Sequence, residues 1–231
     1  MSDRPPARDS GAPRSTEPDV GAVIMFPSRR ELVRRVPPLL AGIALISLGI
    51  SVSVQAHLGL APWDVFHQGV SRRTGASLGW VIVAVGFVVL LAWIPLHQRL
   101  GIGTIVNTVL VGALTKVFLP VIGAPDALVA RIPMLLAAIA AFGIGGGLYI
   151  GAALGPGPRD GLMTAITARG HRLWVVRTAL ELSVLLAGWL LGGDVGVGTA
   201  LIAFSLGPVT HFAVRRFHLP VPADSEAVLG E

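Results

Sequence analysis

The sequence predicts an all-α, polytopic membrane protein with six transmembrane helices, arranged as two inverted repeats of three helices each. The composition is the first reason, because 53% of the residues are hydrophobic and 13% are charged, whereas about 25% are charged in an ordinary soluble domain. Two further observations are six apolar runs of membrane-spanning length and a match between the two halves of the chain. A short helix is predicted after the first and the fourth span.

The apolar runs define a membrane domain over residues 31–217. A hydrocarbon core of about 30 Å needs about 20 helical residues, each rising 1.5 Å. Residues 1–30 are too polar to fold and are predicted to be a disordered cytoplasmic tail, and residues 218–231 form a second, short tail. The six predicted spans run approximately from Pro38 to Gln55, Leu78 to Leu96, Gly101 to Ile122, Ile132 to Leu154, Leu173 to Gly192 and Val195 to Val214.

The arginines predict the orientation of these spans. If the amino end is cytoplasmic, ten arginines near the membrane lie inside and three lie outside, which agrees with the positive-inside rule. Both termini are therefore predicted to be cytoplasmic. The inner arginines are Arg29, Arg30, Arg34, Arg35, Arg99, Arg159, Arg169, Arg172, Arg215 and Arg216, and the outer ones are Arg72, Arg73 and Arg131.

The two halves of the chain match when the sequence is shifted by 96 positions, and by 95 after a one-residue deletion. Repeat one covers residues 36–122 and repeat two covers residues 128–217. Each repeat has three spans, so the second copy enters the membrane from the opposite side and the repeats are inverted. Such repeats recur in transporters, although a duplication also simply enlarges a small membrane protein. The motif residues that match are Gly59, Pro62, Gly101, Gly103 and Thr104 with Gly155, Pro158, Gly196, Gly198 and Thr199.

A Pro-x-Asp motif follows the first span of each repeat. Proline suits the first helical position, and an acid two residues later faces the positive end of the helix dipole. Short helices are therefore predicted over about Pro62 to Arg73 and Pro158 to Arg169. Asp64 and Asp160 either cap these helices at the membrane surface, or the helices enter the membrane and the two acids form a proton- or cation-coupled site where the helix ends meet.

Four other ionisable residues lie inside predicted spans. Glu181 is near the middle of the fifth span, with Arg177 one turn earlier, so the two form either a structural ion pair or a substrate or proton contact. Lys116 and His211 occupy equivalent places near the ends of the third and sixth spans. Their side chains either reach the membrane interface or serve a transport path.

The sequence contains no pattern that indicates catalysis, metal binding or nucleic-acid binding. There is no cysteine, the histidines lack zinc-like spacing, and no catalytic triad or nucleotide-binding loop is present. We expect no catalytic residues, no metal, no cofactor and no nucleic-acid partner. The expected partners are the lipid bilayer and an unknown small-molecule substrate, and a homodimer or an accessory subunit is left open.

The motifs resemble those of the YczE/YitT-like family of bacterial integral membrane proteins. The matching stretches are residues 58–65, Gly101 to Thr104 with Asn107, and residues 155–163. The resemblance covers about residues 36–217 and implies a multi-pass protein of the bacterial plasma membrane that is often suspected of transport. The family supplies no catalytic residues.

Three functions are consistent with these observations. The first is a small-molecule secondary transporter or exporter of unknown substrate. The second is a membrane scaffold or accessory protein for an enzyme complex, which does not transport. The third is a substrate-capturing subunit of an ATP-driven importer.

Overall fold

The computed structural model describes residue 24 and residues 27–220, and eight helices occur among them. That part of the chain contains no strand. Most of the two predicted tails, residues 1–30 and 218–231, lies outside the described residues. The helices are α1 (Arg29–Ala56), α2 (Pro62–Thr74), α3 (Leu78–Leu96), α4 (Ile102–Phe118), α5 (Leu128–Gly151), α6 (Pro158–Thr167), α7 (Leu173–Leu190) and α8 (Val197–Phe217).

Five of the helices, α1, α3, α5, α7 and α8, are long and apolar enough to cross a membrane. The protein is therefore an all-α polytopic membrane protein, as its composition predicted. The third predicted span corresponds to α4, an apolar helix of 17 residues that measures about 25 Å. It ends at Phe118 rather than Ile122, because Pro120 has no N–H to continue the helical hydrogen bonds.

Helix α1 begins nine residues earlier than the predicted span. Ser28 caps it, since the Glu31 N–H donates to the Ser28 hydroxyl (3.3 Å) and the Ser28 N–H donates to the Glu31 carboxylate (2.7 Å), a reciprocal arrangement that satisfies two free donors. Arg29 and Arg30, assigned to the tail from the sequence, therefore belong to α1. Their charge predicts that these two residues lie in the tail. The cap stabilises the polar first turn, so the helix extends over them.

One buried and one half-buried polar side chain define the ends of the helical bundle. Near the start of α1, the guanidinium of Arg35 donates to the carbonyls of Ala152 (3.1 Å) and Pro220 (2.6 Å), just beyond α5 and α8. Near the end of α1, the Gln55 amide donates to the carbonyl of Leu119 (3.0 Å), just beyond α4. We call these the Arg35 end and the Gln55 end. Helices α5 and α8 finish at the first, and α4 finishes at the second.

Helices α1 and α5 cross in close contact at the centre of the bundle. Gly42 lies so near α5 that a Cβ atom there would be 2.6 Å from the Gly145 carbonyl oxygen and 2.7 Å from the Tyr149 nitrogen. Small residues allow such an approach between membrane helices. The glycines and serines of these two spans therefore place the backbones of both halves against each other.

The short helices α2 and α6 begin at Pro62 and Pro158, as the Pro-x-Asp motifs predicted. Each packs on a helix of the other half of the chain, α2 on α7 and α6 on α3. Gly188 of α7 leaves room for the α2 backbone at Phe66, and Gly161 of α6 lies against the ring of Trp93. The two halves are therefore interlocked rather than placed side by side.

Candidate functional site

The turn before each short helix is held by the Gly-x-Gly-Thr segment of the other half. The Gly103 N–H donates to the Leu154 carbonyl (2.8 Å), and the matching Gly198 N–H donates to the Leu58 carbonyl (2.7 Å). The next residue in each turn, Gly155 or Gly59, has a positive φ, +132° and +106° respectively. Glycine is required there by both the backbone conformation and the closeness of the partner segment.

These two turns lie at opposite ends of the bundle. The Leu154 turn follows α5 at the Arg35 end, and the Leu58 turn follows α1 at the Gln55 end. The turns before Pro62 and Pro158 therefore start at different ends of the bundle, and the meeting of the two helix ends near an axis stays a prediction. The two short helices face one cavity from opposite ends.

The cavity has a volume of about 310 Å³ and is lined by residues of all eight helices or the turns beside them. Most of its wall is apolar, with residues such as Ile50, Ile82, Phe142 and Ile202. Ligand pockets usually combine such an apolar wall with a few polar groups. The polar and ionisable side chains in this wall are Asp64, His67, Asn107, Thr108, Tyr149, Arg159, Asp160, Arg177, Glu181, Thr210 and His211.

The structure brings together five of the six ionisable candidates from the sequence, since Asp64, Asp160, Arg177, Glu181 and His211 all line this cavity. The Arg177 Nε donates to the Glu181 carboxylate at 3.0 Å, so the expected ion pair is present at the cavity wall.

Lys116 does not join the cavity. Its Nζ lies 5.1 Å from the centroid of the Trp80 ring, within the range of a cation–π interaction. Trp80 is largely exposed at the outer surface of α3, which suits a tryptophan of the membrane interface. Lys116 is therefore placed at the periphery, while His211, the residue that matches it in repeat two, lines the cavity.

Asp64 is the most buried acid of the cavity, with 3% of its surface exposed. Its Oδ1 lies 3.5 Å from the Nδ1 of His67, one turn along α2. Among the described residues the carboxylate accepts no side-chain or backbone hydrogen bond. Two buried nitrogen atoms beside it, the Trp63 Nε1 and the His67 Nδ1, also lack a hydrogen-bond partner.

Asp160 lies in a more polar setting at the other end. It is half-buried, next to Arg159 in the chain, and its carboxylate faces the Gly157 turn. The Tyr149 hydroxyl donates to the Gly155 carbonyl (2.8 Å) and the Trp93 indole donates to the Pro158 carbonyl (3.0 Å). These bonds fix the first turn of α6 and so position Asp160.

Several polar residues of the cavity were not proposed as site residues from the sequence, among them Trp63, His67, Asn107 and Tyr149. Trp63 and His67 flank Asp64 at spacings that place them on one side of a short helix, so their position beside the acid was a usable signal. Asn107 and Tyr149 are separated by many residues in the chain, and only the fold brings them together.

The helix pairs that enclose the cavity differ between the two halves. Helices α3 and α4 pack tightly, with Gly79 and Gly112 in backbone contact, whereas the corresponding helices α7 and α8 make almost no contact. Gly207, the counterpart of Gly112, has no atom within 4 Å of the place where a Cβ would be, and it lines the cavity. The cavity therefore opens between α7 and α8 and is closed between α3 and α4.

A polar cluster ties α2 to the loop before α8 at the Gln55 end. Arg72 donates to both carboxylate oxygens of Asp194 (2.8 and 2.7 Å), and the Gln68 amide donates to the same group (3.0 Å). The hydrogen bonds from Arg72 hold the pKa of Asp194 below its ordinary value. This contribution to stability is present above the carboxyl's ordinary pKa and is lost as the pH falls through the lowered one. Because both groups are exposed, it amounts to about 1 kcal/mol or less.

The fold and this cavity define a class: a multi-pass α-helical membrane protein whose two interlocked halves enclose an internal site with ionisable walls. The chain belongs to DUF6198, a family of unknown function, whose model matches residues 33–215. The resemblance to YczE-like membrane proteins seen in the motifs is confirmed by this match and by the relatives.

Three relatives cover most of the chain. It is 40% identical to an uncharacterized protein of Haemophilus influenzae over 187 residues, 79% of this chain and 86% of the relative. It is 32% identical to the uncharacterized membrane protein YczE of Bacillus subtilis over 189 residues, 80% of this chain and 88% of YczE. The uncharacterized protein YyaS of Bacillus subtilis is 24% identical over 176 residues, 74% of this chain and 87% of YyaS. No solved structure matches the chain.

Proposed function

We propose that this protein is a small-molecule secondary transporter of the bacterial plasma membrane, with both termini in the cytoplasm. The observation that carries the proposal is the internal cavity, which has ionisable side chains from both halves and is open between one helix pair and closed between the matching pair. Such a difference between matching helix pairs is expected of a transporter whose cavity is open to one side of the membrane and closed to the other. A scaffold has no need of it.

The proposal includes two inverted repeats of three spans each. Several contacts occur in matching pairs, which supports this relation: α1 with α4 and α5 with α8, α2 with α7 and α6 with α3, and the two hydrogen bonds from Gly103 and Gly198. If the halves exchange conformations, α7 and α8 close while α3 and α4 open. The cavity is then exposed at the other side of the membrane.

The proposal also requires α4 to be the sixth span. This helix starts at the Arg35 end, where Gly103 binds Leu154, and finishes at the Gln55 end, where Leu119 binds Gln55. It therefore runs the full height of the bundle beside α1. A helix of about 25 Å spans a bilayer with local thinning, at a modest cost in free energy.

Replacing Gly207 by cysteine tests the proposal without a known substrate. The position faces the cavity with open space around it, and the chain has no other cysteine. We expect a membrane-impermeant maleimide to label Gly207→Cys in both right-side-out and inside-out vesicles, because alternating access exposes the cavity to each side in turn. Labelled protein is measured by gel shift.

Gly123→Cys is the matched control, since this loop glycine also has open space around it and is expected to react from one side only. Labelling of Gly207→Cys from one side only, or from neither, contradicts the transporter and favours the scaffold or the importer subunit.

A further inference from the structure

Asp64 is a buried acid whose charge has little compensation among the described residues. It is almost fully buried, it accepts no hydrogen bond among the described residues, and no lysine or arginine nitrogen in that part of the chain lies within 4 Å of it. A buried charge without a partner is strongly unfavourable and is normally neutralised by a proton or an opposite charge. Among the described side chains within 4 Å, only His67 can oppose the charge of Asp64, and only when its imidazole is protonated. A neutral His67 leaves the carboxylate in need of a proton or a bound cation.

The two arginines of the cavity wall are not placed beside Asp64. Arg177 is paired with Glu181 on α7, and Arg159 is adjacent in the chain to Asp160 at the opposite end of the cavity. His67 is the nearest titratable neighbour, at 3.5 Å. The remaining titratable groups in the wall are Tyr149 on α5 and His211 on α8.

The surroundings of Asp64 fit an organic cation rather than a metal ion. Hard cations such as sodium, magnesium and calcium take oxygen ligands, whereas the unpartnered polar atoms beside Asp64 are nitrogens of Trp63 and His67. In the described part of the chain, no group of three acidic, histidine or cysteine side chains is arranged to hold a metal. An indole ring attracts organic cations through its face, and the rest of the wall is apolar.

We infer that Asp64, Trp63 and His67 form the binding site for a small organic cation with an apolar body, and that a proton replaces the cation when the site is empty. This deepens the proposed transporter function and depends on it only for movement across the membrane. Because one carboxylate binds either a proton or the cation, uptake of one releases the other. In a membrane with an inward proton gradient, each proton that enters the cell is exchanged for one organic cation that leaves it.

The exchange is measured on the purified chain in detergent, with benzyltrimethylammonium as the probe and a pH indicator in weak buffer. We expect saturating probe to release up to about one proton per chain, at those pH values where the empty site holds a proton. Reciprocal linkage requires this release. Asp64→Asn should abolish the release and weaken probe binding by more than about tenfold, since a neutral amide replaces the carboxylate that pairs with the cation. Asp64→Glu should retain the release.

Asp126→Asn is the matched control, because Asp126 is exposed in the loop before α5 and lies outside the cavity. It should release protons like the unchanged chain, and size-exclusion profiles show that each variant is folded. Trp63→Leu should weaken binding severalfold without changing the number of protons released, because it removes the ring and keeps the acid.

Three results overturn the inference: no proton release from the unchanged chain, equal release from Asp64→Asn, or equal release with sodium chloride or with the neutral isostere neopentylbenzene. The outcome is independent of the labelling of Gly207→Cys. Proton release with one-sided labelling would leave the cation site standing and refute the transporter.

Discussion

Gly42→Val is expected to remove most of the folded protein from the membrane. The α1 backbone at Gly42 touches the α5 backbone at Gly145 and Tyr149, with no flexible side chain between them that can move aside. Overpacking a core costs about 1 to 3 kcal/mol and more where backbone must shift, so we expect a loss of at least about 3 kcal/mol. The measurement is the yield of monodisperse protein after extraction, with its thermal midpoint.

Gly207→Val provides the comparison for this change. It introduces the same side chain into α8 at a place with open space around it, and glycine and valine differ by only a few tenths of a kcal/mol in helix propensity. We expect yield and midpoint close to those of the unchanged chain. If Gly42→Val were as stable as Gly207→Val, the close crossing of α1 and α5 would be wrong.

Gly59→Ala and Gly155→Ala are expected to have the next largest effects, and similar ones. Each residue has a left-handed backbone, and an added Cβ would lie 2.6 Å from Thr199 Oγ1 in one case and 2.7 Å from Thr104 Oγ1 in the other. Left-handed geometry costs a residue with a side chain roughly 1 to 2 kcal/mol, and the overpacking adds to it. We expect about 2 to 5 kcal/mol for each variant, measured as a fall in thermal midpoint.

Gly75→Ala separates the two causes, because Gly75 has a φ of +72° but nothing near its Cβ position. Only the conformational cost, roughly 1 to 2 kcal/mol, should remain there. Loss of stability in Gly59→Ala no larger than in Gly75→Ala would show that the Gly-x-Gly-Thr segments do not clamp the turns.

The sequence predicts the helices well wherever a local rule decides them. Pro62 and Pro158 set the starts of α2 and α6 because proline is suited to the first helical turn. Length predicts a break beyond the fourth span, because a straight helix from Ile132 to Pro158 would be about 40 Å long. Helix α5 indeed ends at Gly151.

Long-range packing is what the sequence does not reveal. Trp93 fits an interfacial tryptophan by its place at the end of a predicted span, yet it is 1% exposed and donates to Pro158. Its partner belongs to the other half of the chain, so no local pattern identifies the contact. Arg35 is similar, because its buried guanidinium donates to carbonyls more than a hundred residues away.

The candidate site was predicted in part for the same reason. Acids inside apolar runs are visible in a sequence, and Asp64, Asp160 and Glu181 do line one cavity. Their separation is not visible, because the repeat predicts that the Pro-x-Asp turns match but not how far apart they lie. The difference between α3/α4 and α7/α8 is equally hidden, since Gly112 and Gly207 match in sequence and differ only in what surrounds them.

Distances between spin labels in lipid nanodiscs test the alternation of the two helix pairs most directly. One labelled pair joins α7 to α8 at Val175 and Phe212, and the other joins α3 to α4 at Ala84 and Val117, all on exposed surfaces. We predict two distances for each pair, with the α7–α8 pair long when the α3–α4 pair is short, and populations that shift with pH and with benzyltrimethylammonium. A single unchanged distance in both pairs under every condition would contradict the alternating cavity.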